Sequence, residues 1–234
     1  MVLKIGYLVL TLVTNLFILL IGYKAINTTS SSTRKDKAIL LLGLTAWQVF
    51  IFAIAQTGIV KSFDFPPAFA LVYILPSFLF TGVFLFRNRN KEWIKSIPAH
   101  WIVYFQSFRI AVETLFIFSF AQGIFNVEVT IEGYNFDMVF ALTAPVIAFL
   151  VYTKKLLSKK VVVIWNYIGL LVLSSVIFLF LTSIYKPEMY GSTTPLLPLE
   201  SMEYPYVLIA GFLMPVAVFL HVLSILQVSR KSER

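Results

Sequence analysis

The chain has 234 residues, of which 59% are hydrophobic, 16% aromatic and only 13% charged, with a formal net charge of +8. Soluble domains average about 45–50% apolar and about 25% charged residues, so this composition excludes an ordinary water-soluble fold and leaves no room for a separate catalytic domain. There is no cysteine, which removes disulfides, thiolate metal sites and cysteine nucleophiles.

A bilayer core about 30 Å thick takes about 20 apolar residues per helix. Seven windows meet this, predicting an all-α polytopic membrane protein with a single transmembrane domain: Gly6 to Tyr23, Ala38 to Val60, Pro67 to Phe86, Trp101 to Phe125, Phe136 to Tyr152, Val161 to Tyr185, and Tyr204 to Gln227. None holds a lysine. The first follows a single lysine, Lys4, and has no small-x-small cleavage pattern before Asn27, so it reads as a membrane helix and not as a signal peptide.

Charge sorts by side. Fifteen of the 19 basic residues follow the odd-numbered spans: Lys24, Arg34, Lys35 and Lys37; Arg87, Arg89, Lys91 and Lys95; Lys154, Lys155, Lys159 and Lys160; and Arg230, Lys231 and Arg234. The other connections carry only Lys61 and Lys186, with Lys4 at the N-terminus, and most of the acids, including Asp64, Glu128, Glu132, Glu188, Glu200 and Glu203. The positive-inside rule then expects the N-terminus outside and the C-terminus cytoplasmic. Such clusters beside helix ends suit anionic lipid headgroups and argue against nucleic acid as the partner. Asn27-Thr28-Thr29 matches a glycosylation sequon but falls on the cytoplasmic side of this topology.

Two outer connections are longer than a turn. In Asn126 to Asn135, Val127, Val129 and Ile131 alternate with Glu128, Thr130 and Glu132, predicting a short extended segment. Lys186 to Glu203 contains three prolines and a glycine among leucines, predicting an ordered, turn-rich cap.

The fourth span holds the only ionisable side chains deep in any window. At about 1.5 Å per residue from His100, Arg109 sits roughly 14 Å and Glu113 roughly 20 Å into the bilayer. With Gln106 they form one polar stripe within about 60° of the helix face. A central arginine costs about 2.5–3.5 kcal/mol to insert, so the stripe is expected to face the bundle interior and to find partners there. Candidates are Asn15, Gln48, Gln56, Asn166, Ser174 and His221, with Asn135 and Asp137 at the outer start of the fifth span. Pro76, Pro145 and Pro215 should kink their helices and free carbonyls that can line a cavity.

The seventh span lacks a lysine for a retinal Schiff base, and no HExxH or GxSxG motif occurs; this argues against a retinal protein and an intramembrane hydrolase and leaves the enzyme question open, with no cofactor expected. His100 and His221 are the only pair available for haem or quinone chemistry.

From Ile97 to Tyr152 the motifs Ile97-Pro98, Gln106-x-x-Arg109-x-x-x-Glu113, Glu132-Gly133-Tyr134-Asn135-Phe136-Asp137 and Leu142-Thr143-Ala144-Pro145 resemble an uncharacterised family of small multi-pass bacterial membrane proteins. The resemblance covers about a quarter of the chain and supplies no reaction. It implies that Gln106, Arg109, Glu113, Asn135 and Asp137 form one constellation in a bacterial inner-membrane protein. The expected role is binding of a small polar or anionic solute for transport or sensing. The alternatives are a structural or assembly subunit, whose polar stripe only fastens helices, and a haem- or quinone-linked redox protein.

Overall fold

A computed structural model describes residues 1–231 of the chain; Ser232, Glu233 and Arg234, with the side chains of Arg230 and Lys231, lie outside the described residues. The protein is 77% helical and has no strand among the described residues. Six helices are long and apolar enough to cross a membrane: Val2–Thr29, Thr33–Thr57, Ala70–Asn88, Ala99–Ala121, Lys159–Tyr185 and Ile209–Ser229. The seventh predicted window forms a shorter apolar helix, Asp137–Thr153.

We number the α-helices α1 (Val2–Thr29), α2 (Thr33–Thr57), α3 (Leu75–Asn88), α4 (Trp93–Ser96), α5 (Ala99–Phe105), α6 (Phe108–Ala121), α7 (Asp137–Ala148), α8 (Lys159–Tyr185) and α9 (Met214–Lys231). Their outward faces are apolar. On α7, for instance, Val139, Leu142 and Val146 are exposed at helical spacing while Asp137, Ala141 and Ala144 are buried. A soluble protein rarely exposes so continuous an apolar surface, and lipid is the solvent that satisfies it. Helix α2 buries only Ile51 and lies at the periphery.

All three prolines sit beside a wide, π-helical turn. The turns Ala70–Ile74 and Ile209–Leu213 precede Pro76 and Pro215, and Phe149–Thr153 follows Pro145. Proline lacks the N–H that would bond the carbonyl four residues back, and widening the helix is one way to absorb the defect. For Pro215 that carbonyl belongs to Gly211, and it accepts instead from the Trp47 indole N–H of α2 at 2.9 Å. Gly211 permits this approach, since a Cβ there would lie 3.0 Å from Ile51.

The fourth predicted span is not one regular helix. It breaks into α5 and α6 around Gln106 and Ser107, where Arg109 N bonds Gln106 O at 3.2 Å and Ile110 N bonds Ser107 O at 3.0 Å, the tighter i→i+3 pattern. Each residue in such a turn advances about 20° more than in an α-helix. Residues three apart nearly eclipse in such a turn, which keeps Gln106 and Arg109 on one side of the helix. No proline or glycine lies in this stretch.

The extended segment expected over Asn126 to Asn135 is a correction: Val127–Val129 is a 3-10 turn followed by further turns. Local polar bonds outweigh the alternating pattern. The Asn126 side chain accepts from Val127 N at 3.0 Å and the Thr130 hydroxyl donates to Val127 O at 2.8 Å. Gly133 lies against the backbone of Val127 and Glu128, where a side chain would clash. Residues 186–203 form an ordered turn-rich cap with two 3-10 turns, Pro187–Tyr190 and Leu199–Met202.

These connections gather at one end of the bundle. Lys61 pairs with Glu203 at 2.6 Å, Tyr185 donates to Asp64 O at 3.2 Å, and the Tyr134 and Tyr190 rings lie 5.9 Å apart. The opposite end collects the basic residues of segments 24–37, 87–95 and 154–160. There Gln227 of α9 donates to the carbonyls of Ile94 and Ile97 at 2.7 and 2.5 Å, tying α9 to the chain between α4 and α5.

Candidate functional site

Arg109 projects from the first turn of α6 and is only 1% exposed. Its partner is Asp137 at the start of α7: Nε donates to Oδ2 at 3.0 Å and Nη2 pairs with Oδ1. This fork-to-fork geometry satisfies both charges with directional bonds, the condition under which a buried ion pair is tolerated. Asp137 is further held by its own backbone N–H, which donates to the Asn135 side-chain oxygen at 2.9 Å. Its carboxylate also lies in the first turn of α7, where the helix dipole favours negative charge.

The third guanidinium nitrogen, Nη1, lies 2.8 Å from His221 Nε2 on α9. An arginine only donates, so Nε2 accepts and the imidazole proton sits on Nδ1. Nδ1 then donates to Asn166 Oδ1 at 2.8 Å, and Asn166 Nδ2 donates to Ser224 Oγ at 3.0 Å and to Val162 O at 2.7 Å. A single neutral tautomer makes the whole relay consistent, and it joins α6, α7, α8 and α9. The Phe140 ring covers the guanidinium at 5.3 Å and stacks on Trp165 at 4.8 Å. Gly169 makes room for His221, because a Cβ there would collide with the imidazole and with Phe140.

Glu113, one turn along α6, is 2% exposed and does not pair with Arg109. Its Oε2 accepts from Asn135 Nδ2 at 2.9 Å, and Asn135 also donates to Val129 O at 3.0 Å. The 126–135 loop thus reaches into the bundle through one asparagine that touches Glu113 with its amide and positions Asp137 with its carbonyl. Gln106 stands apart: its Nε2 donates to Ala217 O at 3.3 Å, while Oε1 is buried without a partner.

A cavity of about 80 Å³ borders Arg109, Glu113 and Asp137. Its other walls are apolar residues of α6, α8 and α9, and it extends toward Ser201, Met202 and Tyr206 at the end that holds the long loops. No residue on the basic side of Phe108 and Ala217 lines it. The space suits a few waters or a small solute.

Of the residues singled out from the sequence, Arg109, Glu113, Asn135, Asp137, Asn166 and His221 come together in this network. Asn15 bonds back to Thr11 O in its own helix at 2.9 Å, Ser174 does the same to Leu170 O at 2.8 Å, and Gln56 is exposed. Gln48 on α2 has a buried amide nitrogen with no partner. His221 has both ring nitrogens engaged, whereas His100 is exposed with its ring near Tyr104 and Tyr152, so the two histidines have no ring neighbour in common. No group of three potential metal ligands occurs among the described residues. Ser224, Phe140 and Trp165 belong to the site without having been foreseen. The spacing of His221, Ser224 and Gln227 at three-residue intervals on α9 was the available signal for Ser224; nothing in the pattern marks Phe140.

No family model, curated protein or solved structure matches this chain.

Proposed function

We propose that this chain is a seven-helix protein of a bacterial inner membrane that binds a small polar solute beside Glu113, for sensing or transport. The short helix Asp137–Thr153 supports a seventh crossing. It begins beside the loop end and finishes near the basic end, with the Tyr152 ring 6.3 Å from that of His100. At 17 residues it spans about 25 Å, within reach of a locally thinned bilayer. The charge asymmetry supports an outer N-terminus and a cytoplasmic C-terminus.

The observation that carries the solute reading is the cavity against a carboxylate with only one oxygen engaged. It also narrows the solute. All three guanidinium nitrogens face Asp137 or His221, so Arg109 has little left to offer an anion. Of Arg109, Glu113 and Asp137 at the cavity, Glu113 is the one with an oxygen left over, which favours a neutral polar or cationic solute over an anionic one. Extension of the cavity toward the loop end alone favours a sensor over a carrier.

Thermal-shift screening of the purified protein against small amines, zwitterions, alkali cations and carboxylates tests this. Stabilisation by cationic or neutral polar solutes that disappears in Glu113→Gln supports the site; shifts from carboxylates that persist in Glu113→Gln overturn it. Uptake of the responding solute into proteoliposomes separates a carrier from a sensor.

One observation favours a second reading. The relay from Asp137 through Arg109, His221 and Asn166 to Ser224 closes on itself and fastens four helices, as a structural or assembly subunit requires. That reading predicts loss of stability in Arg109→Gln with no solute-dependent shift in the parent protein.

A further inference from the structure

A second cavity, about 260 Å³ in volume, lies at the basic end, bounded by Pro98, His100, Tyr152, Lys159 and Gln227 among others. Gln227 is completely buried. Its Nε2 is committed to the carbonyls of Ile94 and Ile97, which fixes the orientation of the amide, and its Oε1 has no partner. The Tyr152 hydroxyl is likewise buried and unpartnered. Both residues line this one cavity, and two such orphaned atoms are unusual, because buried polar groups nearly always find partners. They call for a ligand that donates a hydrogen bond to Gln227 and accepts one from Tyr152.

The charge at the site defines the accepting group. Lys159 is the first residue of α8, so its ammonium and the positive end of a 27-residue helix act together there. Exposed His100 adds a further ring nitrogen. Pro98, Ala99 and Val228 supply an apolar wall. We infer that this cavity binds a phosphate ester with a neighbouring free hydroxyl: the phosphate against Lys159 and Tyr152, the hydroxyl donating to Gln227 Oε1. A glycerol-type lipid headgroup and a soluble polyol phosphate share this chemistry.

The full chain in neutral detergent is titrated with short-chain phosphatidylglycerol, sn-glycerol 3-phosphate, inorganic phosphate and short-chain phosphatidylcholine, whose headgroup lacks a hydroxyl. Phosphatidylglycerol is expected to bind at least about tenfold more tightly than phosphatidylcholine or inorganic phosphate. Tyr152→Phe and Lys159→Ala should each weaken it by about tenfold without changing the ligand-free unfolding midpoint. Lys35→Ala, on the same charged end but outside the cavity, should bind as the parent does. If sn-glycerol 3-phosphate binds equally well, the headgroup alone suffices and the ligand can be soluble; if only the lipid binds, the site is one for membrane lipid. Equal binding of phosphatidylcholine or inorganic phosphate, no binding of any probe, or unchanged affinity in both variants overturns the assignment.

Discussion

Arg109 and Asp137 are the most consequential side chains in the bundle, because each neutralises the other while both are buried. Removing one charge strands its partner, which typically costs about 3–5 kcal/mol for a buried pair. Asp137→Asn should therefore lower stability by that order in detergent unfolding, and Arg109→Gln combined with Asp137→Asn should recover part of the loss. A double variant no better than the sum of the two singles would show that the pair does not act as a unit. Gly169 offers a probe that touches neither charge. Gly169→Ala drives a methyl group into His221 and Phe140 and should cost about 1–3 kcal/mol by overpacking. Gly43→Ala, with open space around it, should be neutral or slightly stabilising.

At the scale of elements, the proline-linked wide turns are structural devices rather than simple kinks. The Gly211 carbonyl released by Pro215 accepts from Trp47, so α2, which buries little else, is anchored through a defect in the last helix. In Pro215→Ala the restored backbone N–H competes for the same carbonyl. Trp47→Phe should then cost about 1 kcal/mol in the parent and measurably less in the Pro215→Ala background. Equal costs in the two backgrounds, read from a double-mutant cycle, would mean that the indole bond does not depend on the proline. The split between α5 and α6 belongs to the same scale. A uniform 3.6-residue period places Gln106, Arg109 and Glu113 on one stripe, and the tighter turn keeps Gln106 over Arg109; the two still differ in partner, Gln106 bonding Ala217 O of α9 and Arg109 taking Asp137.

At the scale of the whole molecule, orientation is directly testable because the chain has no native cysteine. Single cysteines at Ser192 and Glu200 should react with an impermeant maleimide in intact cells, and one at Lys154 only after permeabilisation. The reverse pattern would invert the topology. The loop end also carries a pH-sensitive strap between Lys61 and Glu203. The Lys61 ammonium holds the Glu203 carboxyl below its ordinary value of 4.5, and Glu203 in turn raises Lys61. A depressed carboxyl contributes stability above its unfolded pKa and loses it as pH falls through the folded value; a raised amine contributes below its unfolded pKa and loses it as pH rises. The strap should thus act at neutral pH, and any difference in melting temperature between the parent and Glu203→Gln should vanish well below pH 4.5. Both groups are solvent-exposed, so the effect is small.

Much of this protein was legible in composition and hydropathy. Apolar windows set the helices to within a few residues, and Arg109 and Glu113 stood out because charge is expensive in lipid wherever it sits. Asn135 and Asp137 were placed with them by motif resemblance, and the structure brings them into contact. Helical character and membrane compatibility are local properties, written in each segment's own side chains. Partnership is not local. That Arg109 takes Asp137 instead of Glu113, that His221 and Asn166 extend the relay while Asn15 and Gln56 stay out of it, and that the 126–135 loop turns rather than extends were decided only when helix rotations and loop bonds were set together. The rotation of one helix against another depends on where every neighbour lies, and a single pattern of residues does not encode that.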